Sequence, residues 1–544
     1  MKWEPARVLT GIAAAGLVAW VAPSWLWGLP ALALVWAPLP LSLTVGASTL
    51  SALSAPPDGT PLAHWVAFVP VLYALSLTGS RGTRWLAVLF GTLTTAFIFS
   101  WIGHTITTFS NIPAPVAGLG VVLFSLVFGL PYLPLLMAAH PLRRRAGDAW
   151  MVLWPAAGVV IEWATLYLVL FPYTLGATQY RAPFLVQLVA YTGVTGLTWL
   201  LFFVNAVLTE HLLRRREGRP LPLRWLAAAV SLISAVVLLG VWRHGQVEEA
   251  LAAAPRLRVA QLQSDITMEQ VMRREHRYAM AEWISETARI APDTVDLVVW
   301  PEGAGPNYPQ EWEAYGPAIR KLAQVGHFPI LLGGGWWEIE TDPDTQQRRP
   351  VAWNSIFLIG ADGEQKGRYD KLYPLPFGEY IPLSRQLPWL RELVQGPGDF
   401  RAGTEAKVLV DGDLRLASPV CYEAILPYVC RAFEDPTLLV NVTNDAWFGV
   451  RPAPQQHAML AAIRATELGR PLVRSAYTGV SMVVEPHGRI LYETEPFARV
   501  NRIVEVRDAQ LQTLYARWGD WFPTLNLIVL VLGFLLSPWR RPRP

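Results

Sequence analysis

The sequence predicts a polytopic α-helical membrane bundle joined to an α/β domain. Of its 544 residues, 52% are hydrophobic and only 16% are charged, whereas an ordinary soluble chain is about 25% charged. Residues 1–244 contain 14 Lys and Arg but 6 Asp and Glu, and residues 245–539 contain 28 basic and 36 acidic residues. The composition argues against a wholly soluble protein, and the short basic clusters argue against a nucleic-acid partner.

Apolar runs of about 20 residues, the length that crosses a bilayer as a helix, recur through the first half. Residues 7–28 are also apolar and form either an additional span or a re-entrant hairpin. A removable signal peptide is less favoured there, because no small-residue cleavage pattern is followed by a polar segment. The first half is therefore predicted to hold seven to eight spans. The expected spans are residues 31–54, 62–79, 84–104, 115–139, 150–171, 185–210 and 224–242, with a last one at 523–538.

Arginine clusters in the short loops predict the orientation of these spans. They fall at alternate crossings, and the intervening loops carry almost no basic residue. Because cytoplasmic loops are enriched in Lys and Arg, the predicted domains are a bundle at 1–244, an extracytoplasmic domain at 245–522, and a last helix with a basic cytoplasmic tail at 523–544. The clusters are Arg81 with Arg84, the arginines at 143–145, those at 214–216 with Arg219 and Arg224, and Arg540, Arg541 and Arg543.

Glu162 is a carboxylate inside an apolar run, Val-Ile-Glu-Trp-Ala. A charged group at membrane depth is costly and usually faces protein or a water-filled cavity. The favoured interpretation is a structural partner for a hydroxyl or amide of a neighbouring helix. A role near a substrate path is the alternative.

After Pro255 the pattern changes to short strands that alternate with amphipathic helices, which indicates a layered α/β domain. The glycines at 333–335 are expected to mark a tight turn. Strands are predicted at 256–263, 296–300, 329–334, 352–359, 406–411, 414–420, 437–442 and within 472–485, and helices at 267–290, 310–325, 424–433 and 454–468.

Three polar residues follow predicted strands, where α/β folds place their chemistry. They are Glu302, Lys371 and Cys421. A thiol nucleophile needs a base to take its proton and a cation to stabilise the oxyanion formed on attack. Each residue also has an ordinary structural explanation: a helix cap, a solvated turn residue and a small core side chain. Sequence spacing alone leaves both interpretations open.

The motifs around these residues resemble the nitrilase superfamily and, with the membrane bundle, its membrane branch, the bacterial apolipoprotein N-acyltransferases. The resemblance covers nearly the whole chain from about residue 30. The motifs are Val-Val-Trp-Pro-Glu-Gly-Ala, Tyr-Asp-Lys with Pro-Phe-Gly-Glu-Tyr-Ile-Pro, Val-Cys-Tyr-Glu, Asn-Val-Thr-Asn-Asp-Ala-Trp-Phe-Gly, and His457 through Arg-Ala-Thr-Glu-Leu-Gly-Arg-Pro.

The resemblance implies a nitrilase-like α-β-β-α sandwich with Glu302 as general base, Lys371 as oxyanion stabiliser and Cys421 as nucleophile. It implies transfer of a fatty acyl chain from a phospholipid, through a thioester on the cysteine, to the α-amine of a diacylglyceryl-cysteine on an apolipoprotein. The expected location is the bacterial inner membrane, with the catalytic domain on the periplasmic side. No metal or organic cofactor is expected.

The resemblance also assigns supporting roles to residues near the triad. Glu379 is expected to orient Lys371 or assist proton transfer, and Tyr422 and Glu423 to support the active site. Asn354 is expected to line the cavity and Trp447 to lie near the substrate entrance, with simple packing as the alternative for both. His457 is expected to be structural. Cys430 is expected to pack inward, since a disulfide with Cys421 would abolish the nucleophile.

Two other functions are compatible with parts of this pattern. A membrane-tethered amidase or nitrile hydrolase could use the same triad with water as the acceptor, although a single span would suffice as its anchor. A non-catalytic membrane binding or transport protein with a decayed nitrilase domain is the third possibility. The presence of Glu302, Lys371 and Cys421 together argues against it.

Overall fold

The computed structural model describes most of the chain as two compact units. One unit comprises the residues up to Gly103, Ala114–Val241 and the residues from Asp520 onward, and the other comprises His104–Pro113 and Trp242–Gly519. The predicted domain boundaries at 244/245 and 522/523 stay predictions. The described residues are 37–57, 59–109, 112–264, 276–341, 346, 348–384, 386–387, 389, 399–449 and 452–536.

The first half of the chain is helical. Three described helical segments are long and apolar enough to cross a membrane, or up to four when a bent pair counts as one span. The expected spans at 7–28 and, in part, 31–54 fall outside the described residues. The α-helices are α1 (Leu39–Ala52), α2 (Val69–Leu75), α3 (Ser80–Ile98), α4 (Ile102–Phe109), α5 (Ala114–Phe128), α6 (Tyr132–Ala146), α7 (Trp150–Leu168), α8 (Val189–Thr192), α9 (Val194–Glu217), α10 (Leu223–Ala253) and α16 (Trp521–Leu536).

Residues 62–79 do not form the single span that the hydropathy predicts. A 3₁₀ helix at Pro61–Trp65 is separated from α2, which is only seven residues long. The buried side chain of Asn205 stabilises this break. It accepts a hydrogen bond from the Phe68 amide (2.9 Å) and donates one to the His64 carbonyl (2.8 Å). Buried polar groups of an interrupted helix need such partners, and hydropathy alone does not reveal them.

The favoured interpretation of Glu162 agrees with its contacts in the structure. Its carboxylate accepts hydrogen bonds from the Thr198 hydroxyl on α9 (2.6 Å) and from the Leu175 amide (2.8 Å). Glu162 therefore joins α7 to α9 and to the loop between them.

Two predicted arginine clusters meet through acidic side chains. Arg143 lies 2.6 Å from Glu210 and 2.8 Å from Glu217. Arg214 also contacts Glu210, at 2.7 Å. Arg216 donates to the Ser76 hydroxyl, in the loop that leads to Arg81 and Arg84 (3.1 Å). Three loops predicted to share one side of the membrane therefore lie together in the helical unit.

The second unit contains two six-stranded sheets, which confirms the predicted α/β class. Their strand orders are β12-β1-β2-β3-β4-β5 and β11-β10-β9-β8-β7-β6. The strands are β1 (Arg256–Gln263), β2 (Leu297–Val299), β3 (Ile330–Thr341), β4 (Arg348–Ile359), β5 (Gln365–Asp370), β6 (Leu409–Asp411), β7 (Leu414–Ala417), β8 (Leu438–Thr443), β9 (Leu472–Ala476), β10 (Met482–Val484), β11 (Ile490–Glu493) and β12 (Val500–Arg507). The helices are α11 (His276–Ala288), α12 (Pro309–Gly326), α13 (Pro427–Ala432), α14 (Ala453–Leu468) and α15 (Leu514–Trp518).

Each sheet has three parallel strands at its centre: β1, β2 and β3 in one, and β7, β8 and β9 in the other. Strands β1 and β9 meet where the Ser475 hydroxyl donates to the Leu262 carbonyl (2.7 Å). Outer helices complete the layers, since Trp283 of α11 and Ile319 of α12 share a buried cluster with Trp300 and Ile330. This arrangement confirms the predicted sandwich and gathers the ends of β2, β5 and β7.

The expected tight turn at the glycines 333–335 is wrong. All three glycines lie inside β3 and pair with β4. A Cβ on Gly333 would lie 2.7 Å from the Cα of Glu302, so the glycine lets the segment after β2 cross the strand closely. The predicted helix 267–290 corresponds to α11, and its first part, residues 267–275, lies outside the described residues.

Candidate active site

Cys421 begins a 3₁₀ helix, Cys421–Ile425, a few residues after β7. Its φ is +51°, a left-handed conformation that is uncommon for a residue with a Cβ and occurs often at functional sites. The side chain is 4% exposed, and both Cys421 and Cys430 are free thiols. The turn therefore holds the sulfur at a fixed position beneath the surface.

Glu302 follows β2, and each of its two carboxylate oxygens accepts a hydrogen bond from an amide group. Its Oε1 accepts a hydrogen bond from the Asn354 side chain (2.7 Å), and its Oε2 accepts one from the Asn444 backbone amide (2.8 Å). Glu302 and the Cys421 thiol lie close enough that each changes the pKa of the other. These contacts place a carboxylate against the thiol.

Lys371 follows β5 and is 1% exposed. Its Nζ lies 2.7 Å from Glu379 Oε2 and 3.6 Å from Glu302 Oε1. Glu379 in turn accepts hydrogen bonds from Asn354 and the Leu375 amide, both at 2.5 Å. One ammonium group is thus fixed between two carboxylates, as a buried charge requires.

These side chains surround one cavity of about 150 Å³. Its lining includes four glycines, which leave room beside the polar side chains, and few large apolar side chains. The described residues that line it are Glu302, Gly303, Asn307, Gly334, Gly335, Asn354, Lys371, Leu375, Gly378, Glu379, Phe400, Cys421 and Asn444. The cavity holds five predicted site residues: Glu302, Lys371, Cys421, Glu379 and Asn354.

Burial and the neighbouring charges act in opposite directions on this site. Burial, and then Glu302, raise the pKa of Cys421, while Lys371 lowers it. Burial also raises the pKa of Glu302 above 4.5, against the effect of Lys371. Burial lowers the pKa of Lys371, but Glu379 and Glu302 outweigh it and hold that pKa above its ordinary value. The resting site therefore favours a neutral thiol, a basic carboxylate and a charged ammonium group.

Comparisons with known proteins match both halves of the chain. A family model described as the apolipoprotein N-acyltransferase N-terminal domain matches residues 47–207, and one described as carbon-nitrogen hydrolase matches residues 256–515. An apolipoprotein N-acyltransferase of Geobacter metallireducens is 34% identical over 88% of this chain and 92% of its own length. One of Azotobacter vinelandii is 32% identical over 92% of this chain and 95% of its own length. The chain belongs to the apolipoprotein N-acyltransferase family.

A solved amidase of Nesterenkonia sp. AN1 is similar to half of the chain, with 18% identity, 99% coverage of the amidase and a TM-score of 0.35. The apolar helices and the apolipoprotein N-acyltransferase family together identify the chain as a membrane protein.

Glu423 connects the segment that carries Lys371 to the segment that carries Cys421. Its fully buried carboxylate accepts hydrogen bonds from the Leu372 amide (2.6 Å), the Val420 amide (2.7 Å) and the Tyr369 hydroxyl (2.9 Å). Burial raises the pKa of Glu423 to about 7, and Lys371 opposes this rise. Tyr422 is half-buried and, within the described residues, does not line the cavity.

A contact with Asp445, which sequence reasoning missed, positions His457 beside the backbone of Cys421. Its Nδ1 lies 2.8 Å from Asp445 Oδ1, and its Nε2 lies 3.0 Å from the Cys421 carbonyl oxygen. Asp445 also accepts a hydrogen bond from the buried Arg474 (2.7 Å). This His457 contact reaches the backbone of Cys421 and not its sulfur. The only indication of the Asp445 contact in the sequence is that Asp445 belongs to the motif Asn-Val-Thr-Asn-Asp.

Two predicted residues remain, Trp447 and Cys430. Trp447 belongs to a 3₁₀ helix at Asp445–Phe448, and its side chain is outside the described part of the structure. Cys430 lies on α13, is 1% exposed, and its sulfur approaches the carbonyls of Glu423 (3.6 Å) and Ala424 (3.8 Å). Cys430 therefore packs inward, as expected from the sequence.

Proposed function

We propose that this enzyme transfers a fatty acyl chain from a membrane phospholipid to the N-terminal α-amine of a diacylglyceryl-cysteine on apolipoproteins. The observation that carries the proposal is the convergence of Cys421, Glu302 and Lys371 on one buried cavity. The activity itself comes from the names of relatives that match over more than nine-tenths of their length. No metal or organic cofactor takes part in the proposed reaction.

The first half-reaction forms a thioester. Glu302 accepts the thiol proton as the Cys421 sulfur attacks the carbonyl carbon of the phospholipid ester. The ammonium group of Lys371 stabilises the negative charge that develops on the carbonyl oxygen. When the C–O bond breaks, Glu302 returns its proton to the leaving oxygen, which releases a lysophospholipid. The acyl chain then remains on Cys421.

The second half-reaction forms an amide. The free α-amine of the acceptor attacks the thioester carbon, and the C–S bond breaks. Glu302 takes a proton from the attacking nitrogen and gives it back to the sulfur, which restores the thiol. Each step needs the same base and the same cation, so one triad serves both in turn.

The supporting roles follow from contacts around the triad. Glu379 orients Lys371 through their 2.7 Å ion pair. Asn354 positions Glu302 and Glu379 together, and Glu423 connects the two segments that carry Lys371 and Cys421. Tyr422 and Trp447 are proposed as substrate-side contacts next to these segments.

Both proposed substrates are lipids, and this explains the coupling of a catalytic domain to a bundle. We propose that residues 1–244 form the bundle, that residues 245–522 act on the periplasmic side of the inner membrane, and that residues 523–544 return to the cytoplasm. The meeting of the loops that carry Arg143, Arg214 and Arg216 supports a common side for these arginines.

Intact mass of the purified protein after incubation with phospholipid tests the proposal. A hydroxylamine-sensitive gain of one acyl group is expected, absent in Cys421→Ala and retained in Cys430→Ala. Lys371→Ala should slow acylation about 10²–10³-fold, as the loss of an oxyanion donor does. A diacylated lipopeptide should then discharge the thioester as an amide.

Two results would contradict the proposal. Acylation of Cys421→Ala would place the nucleophile elsewhere. Discharge to free fatty acid at the same rate with and without the lipopeptide would indicate a hydrolase. Turnover of simple amides or nitriles without any acyl adduct would favour the membrane-tethered amidase or nitrile hydrolase.

A further inference from the structure

A second cluster of chemistry-bearing side chains lies outside the catalytic cavity. His244 and Glu248 are four residues apart on α10, so they share one face of the helix. His487 lies in the turn between β10 and β11, 239 residues from Glu248 along the chain. One donor atom from each of the three residues lies within 4.8 Å of the others. The fold thus assembles two imidazoles and a carboxylate that no sequence motif connects.

The distances in this cluster suit a metal ion. Glu248 Oε1 lies 3.2 Å from His487 Nε2 and 3.8 Å from His244 Nε2. Glu485 Oε2 lies 3.7 Å from the same nitrogen of His487. Zinc bonds of about 2.0–2.2 Å in tetrahedral geometry place neighbouring ligand atoms about 3.3–3.6 Å apart. Shifts of a few tenths of an ångström would bring Glu248 Oε1 to ligand spacing from both histidine nitrogens, and the three donor atoms all lie within 4.8 Å of one another.

The burial of His487 and the negative charge of the carboxylates also favour the binding of a cation. The His487 side chain is fully buried, whereas Glu248 is 42% exposed and leaves the cluster open to solvent on one side. The rings of His244 and His487 have centroids 4.5 Å apart. Two imidazoles with two carboxylates form the mixed nitrogen and oxygen set that zinc commonly takes.

We propose that His244, Glu248 and His487 form a binding site for a divalent transition-metal ion of the zinc class, with Glu485 as a nearby fourth donor. The site is structural, since it ties the end of α10 to the β10–β11 turn and lies apart from the cavity of Cys421. The expectation that the reaction needs no metal is unaffected.

Arg489 is the competing partner in this cluster. Its guanidinium lies 3.0 Å from Glu248 Oε1 and 3.6 Å from Glu485 Oε2. The arginine side chain is 55% exposed. If a metal took the carboxylate oxygen, the arginine would lose only a solvated ion pair, which contributes little to stability. Removal of Arg489 should therefore preserve or strengthen metal binding.

Zinc titration of the full-length protein in detergent tests the site. The protein carries a tag without histidines, is treated with EDTA and is dialysed against Zn²⁺. A Cys421→Ala background is needed, because Cys421, Asp445 and His457 form another cluster that could hold a metal. One tightly held zinc per chain is expected by elemental analysis. Co²⁺ in its place should give the absorption bands of a tetrahedral site.

Variants in that background locate the ion. His487→Ala and Glu248→Gln should each weaken Zn²⁺ binding at least about tenfold, since even the loss of a residue that only hydrogen-bonds to a ligand costs about 10–100-fold. Glu248→Gln replaces a partly exposed side chain, so it remains informative if His487→Ala does not fold. His327→Ala is the matched control, because His327 is an exposed histidine paired only at the surface with Asp293. Arg489→Ala should bind zinc at least as tightly as the parent.

Two outcomes would overturn the proposal. One is the absence of bound zinc after dialysis of the folded Cys421→Ala protein. The other is zinc binding that His487→Ala and Glu248→Gln leave unchanged, which would place the ion elsewhere. Neither outcome would affect the proposed acyl transfer, because that test depends on acylation of Cys421 in the presence of EDTA.

Discussion

Burial and two neighbouring side chains change the proton affinity of Glu302 in opposite directions. Burial raises its pKa above 4.5, while Lys371 and the hydrogen bond from Asn354 lower it. A general base must be deprotonated to accept the thiol proton. The rate of Cys421 acylation should therefore fall as the pH drops through the raised pKa of Glu302, at a pH above that of an ordinary glutamate.

Asn354→Ala should move this acid limb to higher pH. The substitution removes one hydrogen bond that favours the ionised carboxylate, so Glu302 should hold its proton to a higher pH. The measurement is the pH profile of the initial acylation rate. Asn307→Ala is the matched control, because Asn307 lines the same cavity but donates to the carbonyls of Gly303 and Gly305. An acid limb that stays in place in Asn354→Ala would remove Asn354 from the positioning of the base.

Strand β3 controls how closely Glu302 can approach the cavity. A Cβ at Gly333 would lie 2.7 Å from the Cα of Glu302 and 3.0 Å from the Gly303 nitrogen. These are backbone atoms that cannot swing away, so Gly333→Ala should cost about 1–3 kcal/mol of unfolding free energy, as overpacking does. It should also slow acylation, because the base is displaced.

Gly245→Ala is the matched control for this prediction. Gly245 lies inside α10, and an added Cβ would have no neighbouring atom within 4 Å among the described residues. Alanine is favoured over glycine in a helix interior by about 0.5–1 kcal/mol. Thermal unfolding and acylation rates of both variants check the comparison. Normal acylation by Gly333→Ala would show that Glu302 tolerates a shift of β3.

Elements with a strong local pattern could be predicted from the sequence, and elements that depend on distant partners could not. The alternation in 256–263 gives β1 with its observed ends. Strand β12 alternates less clearly and forms because β1 pairs with it antiparallel along eight residues. The glycines of β3 resemble a turn locally, and only the crossing of the Glu302 segment explains them.

The site shows the same division. The proximity of Glu302, Lys371 and Cys421 could be predicted, because short motifs surround each of them. The cluster of His244, Glu248 and His487 could not, since the chain brings it together only through the packing of α10 on the β10–β11 turn. The contacts of His457 with Asp445 and with the Cys421 carbonyl could not be predicted either, because only the folded chain brings these residues together.

At the scale of the whole molecule, the arginine clusters predict which side of the membrane each loop occupies. Arg143 and Arg214 share Glu210, and Arg224 contacts Asp148 (2.5 Å), as does Arg214. Loops joined in this way must lie on one side of the bilayer. The positive-inside rule assigns that side to the cytoplasm, so the catalytic sheets should face the opposite compartment.

Single cysteines in the full-length chain test this topology. In a Cys421→Ala, Cys430→Ala background, Asp413→Cys places a thiol in the exposed turn between β6 and β7, and Arg219→Cys places one in the exposed loop after α9. A maleimide that does not cross the inner membrane should label position 413 in intact cells. It should label position 219 only after permeabilisation. Equal labelling of both positions in lysed cells is the control for reactivity. Labelling of position 219 in intact cells while position 413 stays protected would invert the proposed orientation and place the triad in the cytoplasm, away from the acceptor that the proposed function requires.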